Sequence, residues 1–321
     1  MNIEHFSALS AHVRAELAKV LIGQRDLVDQ LLLVLVCGGH AVIEGVPGLA
    51  KTLAIKSLAR VCGLTFHRVQ CTPDLMPADV TGTNVFNLAD NTFHLHRGPV
   101  FTDLLLVDEI NRTPPRTQSA LLEAMEERQV TIDGVGYPLS ENFTVLATQN
   151  PIEFEGTYRL PEAQLDRFLF KIRVQYPSPE EEAGILSLYD NSFDPRKLNE
   201  IALTPFEPSL LTAARAEIQN VRSEPSLHSY IVAIIRRTRD WPAISLGASP
   251  RAAVGLFFSA RAIAAMDGRA FLLPDDVKAA ALPVLRHRIL LKPEAELEGL
   301  TADHVIEQVL SSVEIPRVIR E

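Results

Sequence analysis

Residues 41–61 read AVIEGVPGLAKTLAIKSLARV: a short apolar run, a loop with two glycines and a helical pattern. Such a loop between a strand and a helix gathers backbone N–H groups and a helix N-terminus, which together bind phosphate groups. The predicted nucleotide contacts are Gly45, Val46, Pro47, Gly48, Leu49, Ala50, Lys51, Thr52 and Leu53. Lys51 is expected to reach the β- and γ-phosphates, and the Thr52 hydroxyl to bind Mg²⁺. Ala50 replaces the usual glycine, and its small methyl group is expected to be tolerated.

A second apolar run, residues 104–107, ends in the two carboxylates Asp108 and Glu109. An apolar strand of this kind places its last residues at the carboxyl edge of an open α/β sheet, where ligands bind. Asp108 is predicted to hold Mg²⁺, and Glu109 to act as the general base that activates water. One acid at a strand end is commonly a solvated side chain. Two acids in a chain that also has a phosphate loop predict nucleotide hydrolysis.

Two polar residues further along are candidates for the same chemistry. Asn150 is one of the polar residues that end a further predicted strand, VLATQN (145–150), and it can orient a water molecule, since an amide both donates and accepts hydrogen bonds. Its alternative role is to form the turn before Pro151. Arg167 can neutralise charge that develops on the γ-phosphate. Its alternative role is a surface ion pair with Asp166 or Glu162.

Arg251 is a candidate because of its position in a predicted helix. Ser249 is expected to be the N-cap and Pro250 the first helical residue. A cation in the first turn opposes the helix dipole, so the position of Arg251 is electrostatically unfavourable for the helix itself. A phosphate-sensing arginine supplied by a second domain would explain this placement, and a solvated arginine is the alternative.

The order of apolar runs predicts an α/β fold. Short runs alternate with helical stretches over the first half of the chain, as expected for right-handed βαβ crossovers and a mainly parallel sheet. The predicted strands are residues 40–44, 65–69, 104–107, 143–148 and 168–174. Two projecting hairpins are predicted near residues 84–97 and 130–138. Their strands are residues 85–88 with 93–96 and residues 130–132 with 135–137. Strand signals stop after residue 176, which predicts an α/β domain over 1–176 and an all-helical domain over 177–321.

Composition narrows the class of protein. The chain has 321 residues and a formal net charge of −9, which disfavours a surface that grips nucleic-acid phosphates. Its three cysteines, an odd number, fit a reducing compartment better than a disulfide framework. The chain begins without a signal-peptide pattern, and its longest apolar run, residues 31–43, is too short to cross a bilayer. We therefore expect a cytoplasmic protein without membrane insertion or a nucleic-acid partner.

Four blocks of sequence resemble the MoxR family of AAA+ ATPases: GVPGLAKT (45–52), GPVFTDLLLVDEINRTPPRTQSALLEAMEERQVTIDG (98–134), VLATQNPIEFEGTYRLPEAQLDRF (145–168) and GASPRA (247–252). The resemblance covers nearly the whole chain. It implies a P-loop AAA+ αβα core with a mainly parallel sheet, followed by a small all-helical lid domain. It also implies a homo-oligomer, usually a hexameric ring, with ATP and Mg²⁺ at the subunit junctions.

The resemblance further implies roles for individual residues. Lys51 and Thr52 match the Walker A motif, Asp108 and Glu109 the Walker B motif, and Asn150 the sensor 1 residue. Arg167 matches the arginine finger that one subunit lends to its neighbour, with Arg159 and Arg112 as alternatives. Arg251 matches the sensor 2 arginine. Ile22, Gly23 and Gln24 resemble the segment that contacts adenine, and both hairpins resemble elements that face the pore or the substrate.

The family resemblance also implies a task, namely chaperone-like remodelling, maturation or activation of a partner protein. That client is frequently a von Willebrand factor A domain protein, and here it is expected to be a separate chain. Three alternatives stay open at this point: an AAA+ motor that works on nucleic acid, a nucleotide-gated scaffold with slow turnover, and a small-molecule kinase. The kinase is disfavoured because Glu109 and Asn150 suit water activation better than transfer to an acceptor.

Overall fold

The computed structural model describes residues 3–150, 158, 160–207 and 209–316. Its strands are β1 Ala41–Glu44, β2 Phe66–Gln70, β3 Gly82–Asn87, β4 Thr92–Arg97, β5 Leu104–Asp108, β6 Gln129–Ile132, β7 Val135–Pro138, β8 Thr144–Gln149, β9 Phe170–Arg173, β10 Ile244–Leu246 and β11 Leu290–Leu291. Its α-helices are α1 His5–Leu17, α2 Arg25–Val36, α3 Lys51–Val61, α4 Pro77–Thr81, α5 Pro115–Glu127, α6 Glu162–Leu165, α7 Pro179–Asp190, α8 Ser209–Asn220, α9 Pro225–Arg239, α10 Pro250–Met266, α11 Pro274–Leu285, α12 Pro293–Leu297 and α13 Ala302–Ser312. Two 3₁₀ helices span Ile110–Arg112 and Pro195–Glu200.

A parallel five-stranded sheet in the order β2-β5-β8-β1-β9 forms the centre of the fold. Successive side chains of its strands enter hydrophobic clusters on opposite faces: Leu104 and Leu106 on one face, Leu105 and Val107 on the other. Helices cover both faces, which is why these strands read as continuous apolar runs. The predicted α/β class is confirmed, and each of the five predicted strands is present.

Both predicted hairpins are also present, as β3 with β4 and β6 with β7. Asp133 and Gly134 link the second pair with φ of 50° and 80°, the left-handed values that a tight two-residue hairpin turn requires. At the base of the first hairpin, a Cβ on Gly82 would lie 2.2 Å from the His96 carbonyl oxygen. Only glycine therefore allows the two strands to approach there.

The second half of the chain is mainly helical, with one correction to the prediction. β10 and β11 form a small antiparallel pair, Ile244 opposite Leu291, in the segment that we predicted to be entirely helical. Strands of three and two residues are too short to show an alternating pattern. The predicted boundary between residues 176 and 177 stays a prediction.

The N-terminal helix packs against a helix of the second half. The Glu217 carboxylate on α8 accepts hydrogen bonds from the backbone N–H groups of Glu4, His5 and Phe6 at 2.9–3.0 Å. These N–H groups belong to the start of α1, where a helix has no internal acceptors for them. Across the described ranges of the chain, no helix is long and apolar enough to span a bilayer.

Candidate nucleotide-binding site

A cavity of about 540 Å³ lies at the carboxyl ends of β5 and β8, beside the first turn of α3. Strands β5, β8 and β1 are neighbours in the sheet, so the segments that follow them meet at one edge. The cavity is lined by Pro47, Gly48, Leu49, Ala50, Lys51, Thr52, Leu53, Lys56, Asp108, Glu109, Thr148, Gln149, Asn150, Tyr189, Pro195 and Arg196. Most of the predicted phosphate loop and both predicted carboxylates thus line one space.

The phosphate loop contains two residues in the left-handed conformation just before a helix begins. Gly48 has φ of 89° and Ala50 has φ of 53°, and α3 begins directly afterwards at Lys51. The Lys51 ammonium donates to the carbonyl oxygens of Gly45 and, at 3.2 Å, Val46. Burial lowers the pKa of Lys51, and the charges of Asp108 and Glu109 oppose that shift. The lysine therefore lies folded against the loop, within the electrostatic influence of both acids.

Thr148, which we did not predict as a site residue, connects the two acids. Its buried hydroxyl donates to Asp108 Oδ1 at 2.5 Å and accepts from the Glu109 backbone N–H at 2.9 Å. Glu109 has φ of 60°, a left-handed value that a non-glycine residue adopts only when its surroundings hold it there. Thr148 thus fixes both the carboxylate of Asp108 and the backbone of Glu109.

Strand β2 supplies two further contacts that sequence reasoning missed. Arg68 donates to Asp108 Oδ2 from Nε at 3.1 Å and from Nη2 at 2.7 Å. Gln70 donates to Glu109 Oε2 at 3.2 Å. Residues 68 and 70 lie on the same side of a strand, next to β5, so the alternation of polar residues in FHRVQ was the available signal.

Asn150 and the alternative arginines have different surroundings. Asn150 is buried and lines the cavity, at the end of β8, where water activation would need it. Arg112 donates to Glu109 Oε2 of its own chain at 3.2 Å. Arg159 lies outside the described residues.

The two predicted phosphate-contacting arginines lie elsewhere, at a second cavity of about 290 Å³. One carboxylate, Glu126 at the end of α5, binds both of them. Its Oε2 is 2.9 Å from Arg167 Nη2, and its Oε1 is 2.7 Å from Arg251 Nη2. Neither arginine lines the phosphate-loop cavity of its own chain. Ser249 stands at the N-cap of α10 as predicted, but its hydroxyl contacts Asp166 at 3.2 Å instead of capping the helix.

The predicted adenine-contacting segment lies at a third cavity of about 490 Å³, which Gly23 and Gln24 line. Ile22 packs beside Gly184. The Glu181 carboxylate covers Gly23 so closely that a Cβ on this glycine would lie 2.6 Å from Glu181 Cδ. The residues that line the phosphate-loop cavity do not include Ile22, Gly23 or Gln24.

Oxygen donors at the first cavity fit Mg²⁺. The Thr52 hydroxyl and the Asp108 carboxylate line the same space, and hard cations prefer such oxygen ligands. Within the described ranges, no group of three or more His, Cys, Asp and Glu residues could hold a metal. A site that uses one carboxylate, one hydroxyl and substrate phosphates is the usual arrangement for Mg²⁺.

Lys56, Tyr189, Pro195 and Arg196 also line the first cavity, and none of them was predicted. Lys56 lies one turn beyond Thr52 on α3. The other three come from α7 and the following 3₁₀ helix. No local motif marks them, because they reach the cavity only through tertiary packing.

Comparisons with known proteins agree with this architecture. The profile of the ATPase family associated with various cellular activities (AAA) matches residues 40–170, and that of the AAA lid domain matches residues 236–309. The chain is 42% identical over 318 residues to "Chaperone MoxR1" of Mycobacterium tuberculosis, covering 94% of this chain and 81% of the relative. It is 45% identical over 298 residues to YeaC of Bacillus subtilis, named as uncharacterized, covering 93% of this chain and 92% of the relative.

A crystal structure from Cytophaga hutchinsonii, of a protein named there as a proposed ATPase, superposes with a TM-score of 0.88 at 40% identity. The superposition covers 98% of this chain and 97% of that one. Relatives that carry the MoxR name match along nearly the whole length of this chain. The phosphate loop, the paired carboxylates and the parallel sheet agree with these matches. The chain belongs to the MoxR family of AAA+ ATPases.

Proposed function

We propose that the chain hydrolyses ATP in a homo-oligomeric ring and uses the energy to remodel a partner protein. The observation that carries the hydrolytic step is the shared cavity of the phosphate loop, Asp108, Glu109 and Asn150. Lys51 releases its loop carbonyls to bind the β- and γ-phosphates. Glu109 accepts a proton from the attacking water, and Asn150 orients that water.

Thr52 and Asp108 would hold Mg²⁺ in this proposal. The ion supplies charge neutralisation for the phosphate oxygens. Arg68 already engages Asp108 Oδ2, and Thr148 engages Oδ1, so the carboxylate is oriented before any ion arrives. Contact of Ile22, Gly23 and Gln24 with adenine stays a prediction.

The position of the arginines supports an active site shared between subunits. Arg167 and Arg251 lie together on Glu126, away from the phosphate-loop cavity of their own chain. They reach a γ-phosphate only when a second copy presents its own phosphate loop to them. A hexameric ring, the arrangement expected from the family resemblance, brings every such pair of surfaces together.

The hairpin β3–β4 supports contact with a protein client. Leu88 is 84% exposed and Phe93 is 70% exposed, and the ring of Phe93 packs beside that of Phe86 at 5.1 Å. Val85 and Phe86 of the same hairpin are also exposed, and a group of neighbouring exposed apolar side chains is typical of a protein interaction site. The expected client is a partner protein to be matured or activated, such as one with a von Willebrand factor A domain.

The test of the shared site measures molecular mass and steady-state ATPase rate across protein concentration with Mg·ATP. We expect the specific rate to rise as rings assemble. Arg167→Ala subunits should bind ATP without hydrolysing it, and mixing them with Lys51→Ala subunits should restore activity at mixed junctions. A constant rate from a monomer would contradict the proposal, as would no rescue in mixed rings of confirmed composition.

One variant distinguishes the ATPase from a nucleotide-gated scaffold with slow turnover. Glu109→Gln should lower kcat about 10²- to 10⁴-fold while ATP still binds, because the general base is lost. Unchanged turnover in Glu109→Gln would favour the nucleotide-gated scaffold. Stimulation of the wild-type rate by DNA or RNA would favour the nucleic-acid motor, which the net charge of −9 disfavours.

The client contact is tested with a double variant, Leu88→Ser with Phe93→Ser. Both side chains are exposed, so we expect the mass and basal ATPase rate to stay unchanged. Suppression of aggregation of thermally unfolded malate dehydrogenase should fall, because the apolar contact surface is lost. A double variant that protects this protein as well as wild type would remove the hairpin from the proposal.

We also propose that the protein works in the cytoplasm. Its three cysteines carry free thiols. Burial raises the pKa of Cys37 to about 12 and that of Cys71 to about 11. Such thiols stay protonated at neutral pH and suit a compartment where disulfides do not form.

A further inference from the structure

Glu126 is the point at which the core and the second half of the chain meet around the two arginines. It lies in the last turn of α5, whereas Arg167 precedes β9 and Arg251 lies in the first turn of α10. Each carboxylate oxygen engages one guanidinium, Oε2 with Arg167 and Oε1 with Arg251. The hydrogen bond from Arg251 and the charges of both arginines lower the pKa of Glu126. The carboxylate is therefore charged at neutral pH.

The backbone around Arg167 is already held by a different residue. Arg288 donates to the carbonyl oxygens of Asp166 at 3.1 Å and Phe168 at 2.6 Å, on either side of Arg167. Arg288 also binds the Asp166 carboxylate at 2.8 Å. The freedom that remains at Arg167 belongs to its side chain, and Glu126 engages that side chain.

Among the described residues that line this cavity, no other carboxylate is placed to bind both arginines. Those residues include two acids, Glu126 and Asp166, and Asp166 is occupied by Arg288 and Ser249. Without Glu126, Arg167 and Arg251 would share the lining of one cavity with Arg128 and Arg288, all of them positively charged. Like charges repel, so the two side chains would tend to move apart. One engaged Nη2 still leaves other N–H donors on a guanidinium, which has five, to meet phosphate oxygens.

We propose that Glu126 is a positioning residue that holds Arg167 and Arg251 together as one phosphate-contacting pair for the neighbouring subunit. The inference rests on the proposed function, because it requires the arginines to act across the junction. Through Glu126, the position of α10 relative to the core determines whether the pair is formed. A subunit that moves its second domain would thereby change hydrolysis at its neighbour's site.

The test compares Glu126→Gln and Glu126→Asp with Glu127→Gln, all in the full chain. Glu127 is the next residue on α5 and is exposed, so its variant makes the same charge change beside the site. Glu126→Gln should lower kcat about 10- to 100-fold, the effect of a misplaced catalytic group, with KM for ATP changed less than about threefold. Glu126→Asp should fall between Glu126→Gln and wild type. Glu127→Gln should match wild type in mass and rate.

Mixed rings show on which site Glu126 acts. Glu126→Gln subunits have intact phosphate loops, and Lys51→Ala subunits have intact arginines, so mixing them should restore activity. A wild-type rate in Glu126→Gln, or a loss that appears mainly in KM, would overturn the inference. The inference would also be overturned if Lys51→Ala subunits rescue Arg167→Ala subunits but not Glu126→Gln subunits under the same conditions. That result would mean that Glu126 acts on the site of its own chain. Failure of both rescues would instead overturn the shared site itself, and with it this inference.

Discussion

The Thr148 hydroxyl, on the central strand β8, donates to Asp108 Oδ1 at the end of the neighbouring strand β5, at 2.5 Å. The Thr148 hydroxyl oxygen also accepts a hydrogen bond from the Glu109 backbone N–H at 2.9 Å. A single buried hydroxyl thus orients one acid and holds the backbone of the next. Its position, two residues before Asn150, makes β8 a supporting strand for the whole acidic pair.

Replacing Thr148 with valine should impair catalysis more than binding. The variant keeps the shape but loses both hydrogen bonds, so Asp108 Oδ1 and the Glu109 N–H lose their Thr148 partner, while Arg68 still binds Asp108 Oδ2. We expect kcat to fall about 10- to 100-fold, equivalent to a loss of about 1–3 kcal/mol. Steady-state ATPase kinetics measure this effect. Thr148→Ser keeps the hydroxyl and should stay near wild type, and equal rates for the two variants would contradict the role.

Replacing Ala50 with glycine should stabilise the protein. Ala50 has φ of 53°, and a left-handed conformation is about 1–2 kcal/mol less favourable for alanine than for glycine. Greater freedom of glycine in the unfolded chain offsets part of that gain. We expect the free energy of unfolding in urea to rise by about 0.5–1 kcal/mol. Ala54→Gly, in the buried middle of α3, should lower it, and a loss at both positions would contradict the strain at Ala50.

Stability should fall on mild acidification because of His40. Val145 N–H donates to His40 Nδ1 at 2.9 Å, and Nε2 faces the Met125 carbonyl oxygen at 3.2 Å. Burial lowers the pKa of His40 to about 4, from an ordinary value near 6.5. The unfolded chain therefore binds a proton between these values that the folded chain excludes. The contribution of neutral His40 to the free energy of unfolding is complete above pH 6.5. It is lost as the pH falls toward 4, by about 3 kcal/mol in all.

Urea unfolding of wild type and His40→Asn across pH 5 to 7 tests this expectation. The variant should show a flatter dependence on pH, with a smaller slope that reflects His287, whose pKa burial also lowers. His304→Asn, at an exposed position of α13, should keep the wild-type slope. An unchanged slope in His40→Asn would show that His40 is not the group that titrates.

Replacing Arg288 with methionine should destabilise the fold strongly. The Arg288 side chain is 3% exposed and binds the Asp166 carboxylate at 2.8 Å. Removing it deprives that carboxylate and the carbonyl oxygens of Asp166 and Phe168 of their guanidinium donor, while the Ser249 hydroxyl still contacts the carboxylate. The loss of one partner from a buried ion pair costs about 3–5 kcal/mol. Chemical denaturation measures the loss. Lys197→Ala removes an exposed ion pair with Glu200 and should change stability by less than about 1 kcal/mol. If Arg288→Met and Lys197→Ala both changed the free energy of unfolding only slightly, Arg288 would not be a strongly stabilising contact.

The sequence predicted the sheet and the centre of the site because both are encoded locally. The phosphate loop directly follows β1, and Asp108 and Glu109 directly follow four apolar residues of β5. Parallel strands bring such segments to one edge, so proximity follows from the fold class alone. Arg68 and Gln70 depend on β2 lying next to β5, an order that no local pattern specifies.

Three other features of the structure could not be predicted because they depend on residues that are distant in sequence. Ser249 has the residue type and position of an N-cap, but Asp166 of a distant segment takes its hydroxyl. Arg251 was identified from its unfavourable place in a helix, yet its partner Glu126 lies 125 residues away in sequence. The short pair β10–β11 depends on pairing between distant segments, because neither strand is long enough to show its own periodicity.

The contact between Glu217 and the first helix links the order of synthesis to the order of folding. The carboxylate that caps α1 lies more than 200 residues downstream of the N–H groups it accepts. While a ribosome makes this chain from its N-terminus, α1 emerges long before its acceptor exists. All five strands of the sheet are therefore translated before α1 can form this cap. Helix α1 thus leaves the ribosome before the sheet yet gains this cap only after the sheet has been made, and truncation before residue 217 leaves it without that cap.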